Sequence, residues 1–131
     1  RFTLNLLQEM EKLDGCGFIN KALRGRVQSQ TESYAQRLEG QNLDEKVKTL
    51  AQIRDEEGYM AEFAEDDGDY ILVEHNCPIA SIAEEYPHVC ETELALFRKS
   101  LGQKIVREDH LMEGSHRCSY RIPKELESDE E

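Results

Sequence analysis

The sequence predicts an α+β fold: N-terminal helices, then a mainly antiparallel sheet of two hairpins with two intervening helices. Three observations predict it. As far as Gly58, apolar residues recur three and four apart, the period of a helix face. Beyond Gly58 the period shortens to the alternation of strands. Two turn signals, Asp66-Asp-Gly68-Asp and Glu113-Gly114-Ser115, each lie between two such alternating runs.

Taken in order, residues 3–14 form a first helix with Leu6, Met10 and Leu13 at helical spacing, stopped by Gly15. A second runs from Phe18 to Leu38 with Ile19, Leu23, Gln30 and Tyr34 on one side, and Gly40 supplies its C-terminal cap. Leu43-Asp44-Glu45 opens a third, whose early acids suit the helix dipole and whose apolar residues are Val47, Leu50 and Ile53; it ends at Gly58. Tyr59–Phe63 and Tyr70–Val73 read as the first pair of strands. A short helix spans Ile79–Glu85, and Pro87 begins the helix that Gly102 closes, as proline does at a first helical position. Lys104–Met112 and His116–Ile122 are the second hairpin.

Composition bounds the function. The 131 residues suffice for one domain, assigned to 1–122, that buries roughly two thirds of its surface. Residues 123–131 form an acidic tail, expected to be solvated and disordered. A formal net charge of −12 excludes this chain as a holder of nucleic acid by itself, because phosphate affinity comes from Lys and Arg. No apolar run reaches bilayer length, no signal peptide is visible, and the charged, thiol-bearing composition reads as cytoplasmic. The chain opens at Arg1 inside a helical pattern, which reads as a piece of a longer protein.

The chemistry concentrates between His75 and Ile122. Cys77 precedes Pro78 and so belongs to a loop. Cys90 heads the helical row Cys90, Leu94, Phe97, Leu101. Cys118 alternates with Tyr120 and Ile122 on one strand face. A loop, a helix and a strand each carry one sulfur toward a common place. Structural zinc usually takes ligands in close pairs, and here 12 and 27 residues separate the three. Such wide spacing favours an iron–sulfur cluster, whose irons demand distant thiolates. Zinc on three cysteines and a histidine stays open, with His75, His88, His110 and His116 nearby; Cys16, in a helix–helix turn, reads as a buried filler.

A four-iron cluster on three thiolates needs a fourth ligand or leaves one iron open. On the helix between Cys77 and Cys90 the core face is Ile79, Ile82, Ala83 and Tyr86. Counting about 100° per residue, Glu85 flanks that face more closely than Glu84. A rival reading makes Cys77 an enzyme's nucleophile with His75 as base, two residues away on the same strand face. Such a pair also needs an orienting group, and none stands out in the sequence.

The segments Glu56-Glu-Gly-Tyr-Met-Ala-Glu62, Glu74-His-Asn-Cys-Pro-Ile79, Phe97–Gly102 and Gly114-Ser-His-Arg-Cys-Ser-Tyr120 resemble the sensor domain of SufR-type regulators, iron–sulfur-sensing repressors of cluster-assembly genes. The likeness extends weakly upstream through Tyr34–Gly40 and Asn42–Arg54. Four-cysteine members of that family have spacings of twelve, thirteen and fourteen residues. Here Cys77 and Cys90 match, Lys104 takes the third cysteine's place, and Cys118 comes one residue early. That agrees with a three-cysteine branch in which a carboxylate of the connecting helix completes a [4Fe-4S] site, and Glu85 stands at the matching position. Glu84, His88 and an open iron remain alternatives. The resemblance further implies a homodimer, no enzymatic activity, and DNA binding only through an N-terminal winged helix missing from this chain.

Overall fold

In the computed structural model, residues 2–14, 16–86, 88–110, 114–115 and 117–124 are described. The α+β expectation holds: helices α1 (Phe2–Asp14), α2 (Cys16–Leu38) and α3 (Leu43–Glu56) precede strands β1 (Ala61–Asp66) and β2 (Asp69–Glu74). Then come α4 (Ala80–Glu85), α5 (His88–Leu101), β3 (Val106–Asp109) and β4 (Cys118–Ile122). The strands form one antiparallel sheet in the order β1-β2-β4-β3, so the two hairpins join through β2 and β4. The acidic tail from Glu125, the side chains of Cys16 and His88, and residues 111–113 and 116 of the second hairpin lie outside the described residues.

Local chemistry sets the boundaries. Asn42 caps α3: its side chain accepts from the Glu45 N–H at 2.9 Å while the Glu45 carboxylate accepts from the Asn42 N–H at 3.0 Å. The helix ends at Glu56, earlier than the expected Gly58. The Tyr59 N–H turns back to the Arg54 carbonyl at 3.0 Å, and Gly58 and Met60 take positive φ of 98° and 50°. That turn delays β1 to Ala61. At the other end of the hairpin Asp67 and Gly68 both have positive φ, 52° and 85°, as a two-residue turn matching strand twist requires. β3 is shorter than expected, with a bulge between Arg107 and Asp109.

The inward face of the sheet follows from register. Tyr70 pairs with Ile122, Leu72 with Tyr120 and Glu74 with Cys118, and residues directly opposed share a face. Tyr70, Leu72, Tyr120 and Ile122 pack with Val47, Leu50 and Ile53 of α3, Tyr34 and Leu38 of α2, and Leu96, Phe97 and Leu101 of α5. A satellite cluster of Leu4, Ile19, Tyr86 and Val89 lies under α1. There the face of α1 differs from the one expected. Leu6 and Leu13 are 47% and 85% exposed, whereas Leu4 is buried and Leu7 and Met10 pack on the cluster. The partners of α1 are α2 and α4, and the Tyr86 hydroxyl donates to Glu11 at 2.7 Å, which fixes the rotation of the helix.

Candidate functional site

Cys77, Cys90 and Cys118 line one cavity. Each reaches it by a separate local device. Cys118 opens β4 opposite Glu74, so both point to the helix-covered face at the same end of the sheet. Cys90 sits in the first turn of α5. Its carbonyl accepts from Arg107 Nη2 at 2.6 Å, which ties α5 to β3. Cys77 lies in the β2–α4 loop, pinned to the α3–β1 turn: the Asn76 N–H donates to the Tyr59 carbonyl at 3.2 Å and Asn76 Nδ2 to the Gly58 carbonyl at 2.8 Å. A Cβ built on Gly58 would stand 3.3 Å from the Pro78 ring. The loop therefore rests directly on glycine backbone.

The rest of the wall mixes the charged Glu74, Glu93 and Arg107 with His110, Tyr59, Asn76, Ile79 and Tyr120, and a buried arginine stands behind it. Arg54, fully buried at 0% exposure, enters from α3. Its Nε donates to Glu74 at 2.6 Å, its Nη2 to the Glu93 carboxylate, and its Nη1 to the Tyr34 hydroxyl at 3.2 Å. The Tyr59 ring covers it at 3.6 Å from guanidinium to centroid. Burial opposes its charge, but Glu74 and Glu93 outweigh burial and hold Arg54 firmly protonated. Glu74, Glu93 and Tyr59 line the cavity, so this ion cluster forms part of its wall. Arg107, paired with Tyr120 across β3 and β4, lines it from the other side with its guanidinium 5.3 Å from the Tyr120 ring centroid.

Burial pushes the Cys77 thiol up to about 11, against a backbone N–H at Ile79 that favours the thiolate; Cys118 and Cys90 raise it further. Cys90 is raised too, by burial first, with Arg107 opposing. Both thiols feel Cys118 and Glu93, and Cys77 feels Cys90 as well. The pocket thus disfavours bare thiolates and gathers soft sulfur and hard carboxylate donors, which a bound cation would reconcile. Among the described residues no three His, Cys, Asp or Glu side chains stand close enough to share one metal ion. The cavity leaves about 20 Å³, room for about one water. A polynuclear guest would enter only with the walls drawn apart.

The other sequence candidates fall elsewhere. Glu85 and Glu84 are exposed on α4, and neither lines the cavity. His75 is exposed, outside the cavity wall, and hydrogen-bonds Glu62 at 2.8 Å. A carboxylate partner for His75 therefore exists, but the pair faces away from the three thiols. His110 does line the cavity. Sequence reasoning missed Arg54, Glu74, Glu93 and Arg107. Their signal was a charged residue on an otherwise apolar face: Arg54 seven past Val47 and four past Leu50, Glu74 two past Leu72, Glu93 three past Cys90.

Compared with family models, curated proteins and solved structures, the chain matches none of them.

Proposed function

We propose that this chain is the iron–sulfur-sensing half of a transcriptional repressor of the SufR type, holding a [4Fe-4S] cluster on Cys77, Cys90 and Cys118. The observation that carries the reading is that a loop, a helix and a strand each deliver one thiol to the same cavity. Thiols spread over three elements suit several metal atoms better than one. Zinc, which needs its ligands around a single ion, is the weaker reading for the same reason. The bound group supplies a redox- and oxygen-sensitive crosslink; the protein's part is to let the three elements part when that link is lost. The function is binding and sensing, not catalysis. DNA contacts belong to a winged helix carried outside this chain, since the net charge of −12 repels phosphate. Exposed Phe2 and Leu13, 79% and 85% accessible, favour a homodimer through the N-terminal helices in the cytoplasm.

The test is anaerobic reconstitution with iron and sulfide, followed by metal and acid-labile sulfide analysis. Cys77→Ser, Cys90→Ser and Cys118→Ser should each lose most of the iron that wild type retains, and Cys16→Ser should lose none. Full retention in one of the first three removes that residue from the ligand set. Tightly held zinc without sulfide would replace the cluster by the zinc reading.

A further inference from the structure

Resting on the proposed cluster, the question left by three thiolates is what completes the site, and the cavity wall contains one donor of unusual state. Glu93 is 5% exposed and carries two dissimilar carboxylate oxygens. Oε1 accepts from Arg54. Oε2 is fully shielded from solvent yet has no hydrogen-bond partner among the described residues; its ion-pair contact with the half-exposed Arg26 is long, 3.8 Å. A buried carboxylate oxygen left in this state costs free energy, which a native structure normally recovers through a partner. Glu93 faces the cavity shared by the three cysteines, and it lies one turn along α5 from Cys90, so both project from the same face.

From this we infer that Glu93 is the fourth ligand of the site, giving Oε2 to the iron that no cysteine holds. Arg54 then serves as a positioning residue. It grips Oε1 and fixes the carboxylate's rotamer, as partners of metal-ligating carboxylates do. Tyr59 and Tyr34 hold Arg54 in turn. The exposed Glu85 has no comparable hold: among the described residues no buried group hydrogen-bonds it, and it does not line the cavity. Hard oxygen on one iron of an otherwise thiolate-bound cluster makes that corner the weakest.

The experiment uses the full chain reconstituted anaerobically with ⁵⁷Fe and sulfide, read by Mössbauer spectroscopy and by the rate of iron transfer to a ferrous chelator. Wild type should show one iron distinct from the rest. Glu93→Gln, which keeps an acceptor for Arg54, should lose that distinct signal and release iron about tenfold faster. Glu85→Ala and Arg26→Ala should behave as wild type. Should Glu93→Gln fail to fold, as judged by circular dichroism of the apo protein, Glu93→Asp carries the test, with the distinct iron retained and release accelerated. A wild-type release rate in the folded Glu93 variant overturns the assignment while leaving the cluster intact; faster release from Glu85→Ala alone transfers the role to Glu85. If wild type takes up no iron and sulfide, the cluster reading and the Glu93 assignment fall together.

Discussion

The two ends of β2 carry the same chemistry in opposite solvents. At the Glu74 end, Arg54 joins α3, β2 and α5 by gripping Glu74 and Glu93 with no access to water. At the Asp69 end, Arg121 of β4 reaches Asp66 at 2.7 Å, Asp69 at 3.2 Å and Glu108 at 2.6 Å, tying the β1–β2 turn to β3. Both arginines hold several carboxylates; only the medium differs. A buried charge must be paired because water cannot take the partner's place, whereas an exposed network exchanges each contact for hydration at little loss. The cavity end is therefore over-determined and specific, and the turn end tolerant. The candidate site sits at the end where a missing partner is felt.

Removing each arginine sharpens this contrast most. Arg54→Ala strands Glu74 and Glu93 without their cation and should destabilise by about 3–5 kcal/mol, read from urea unfolding. A domain of this kind has only about 5–15 kcal/mol in total, so much of the folded population should be lost on warming. Arg121→Ala should shift the urea midpoint little, and added salt should erase even that shift while leaving the Arg54→Ala deficit in place. Replacing the whole buried set, Arg54→Met with Glu74→Leu and Glu93→Leu, should recover wild-type stability or better. The same triple variant should hold iron poorly. Equal midpoints for the two single alanine variants would erase the distinction between the two ends.

Glycine offers a second, smaller comparison. Gly58 and Gly68 both need positive φ, 98° and 85°, so either substitution strains the backbone. Only Gly58 also lacks room, since its Cβ would meet Pro78 at 3.3 Å, while that of Gly68 meets open space. Gly58→Ala should cost about 1–3 kcal/mol and push the Cys77 loop outward. Gly68→Ala should cost less and leave the cysteines untouched. Thiol labelling of the apo protein checks this: Cys77 should react faster in Gly58→Ala, and at the wild-type rate in Gly68→Ala.

The fold was largely legible because each element repeats one signal several times. Leu94, Phe97 and Leu101 of the row headed by Cys90, and the alternation Cys118, Tyr120, Ile122, survive into packed faces, while Cys90 itself lines the cavity. The rotation of α1 was not legible: Leu6, Met10, Leu13 and Leu4, Leu7, Met10 are both helical rows, and contact with α2 and α4 decides between them. For the site, the three cysteines announced themselves one element at a time. Their charged companions did not, because Arg54, Glu74 and Glu93 each look like an isolated defect in an apolar pattern. They make sense only as a set, and the set spans 39 positions from Arg54 to Glu93. Helical counting chose Glu85 over Glu84 by angle alone, and angle says nothing about whether a face is covered.

The smallest expected effect lies at the turn end and is visible chiefly through pH. The Tyr70 hydroxyl donates to Asp44 Oδ1 at 2.7 Å, joining β2 to the first turn of α3, where Lys48 also reaches Asp44 at 3.1 Å. The Tyr70 hydroxyl, then Lys48, holds the Asp44 carboxyl below its usual 3.8. In return the bond to Asp44, with burial second, pushes the Tyr70 hydroxyl from 10.0 up to about 12. The depressed acid contributes stability above pH 3.8 that is lost as pH falls through its lower folded value. The raised phenol contributes stability below pH 10.0 that is lost as pH rises toward about 12. The urea midpoint of wild type should therefore exceed that of Tyr70→Phe by a small, flat margin between those limits. The margin should close at both extremes, since the phenylalanine variant has no such bond to lose. Asp44 is solvated, so water replaces much of what the hydroxyl gave, and the margin should stay well below the Gly58→Ala deficit. A difference that persists unchanged below Asp44's folded value would mean that packing around the ring, not the hydrogen bond, separates the two proteins.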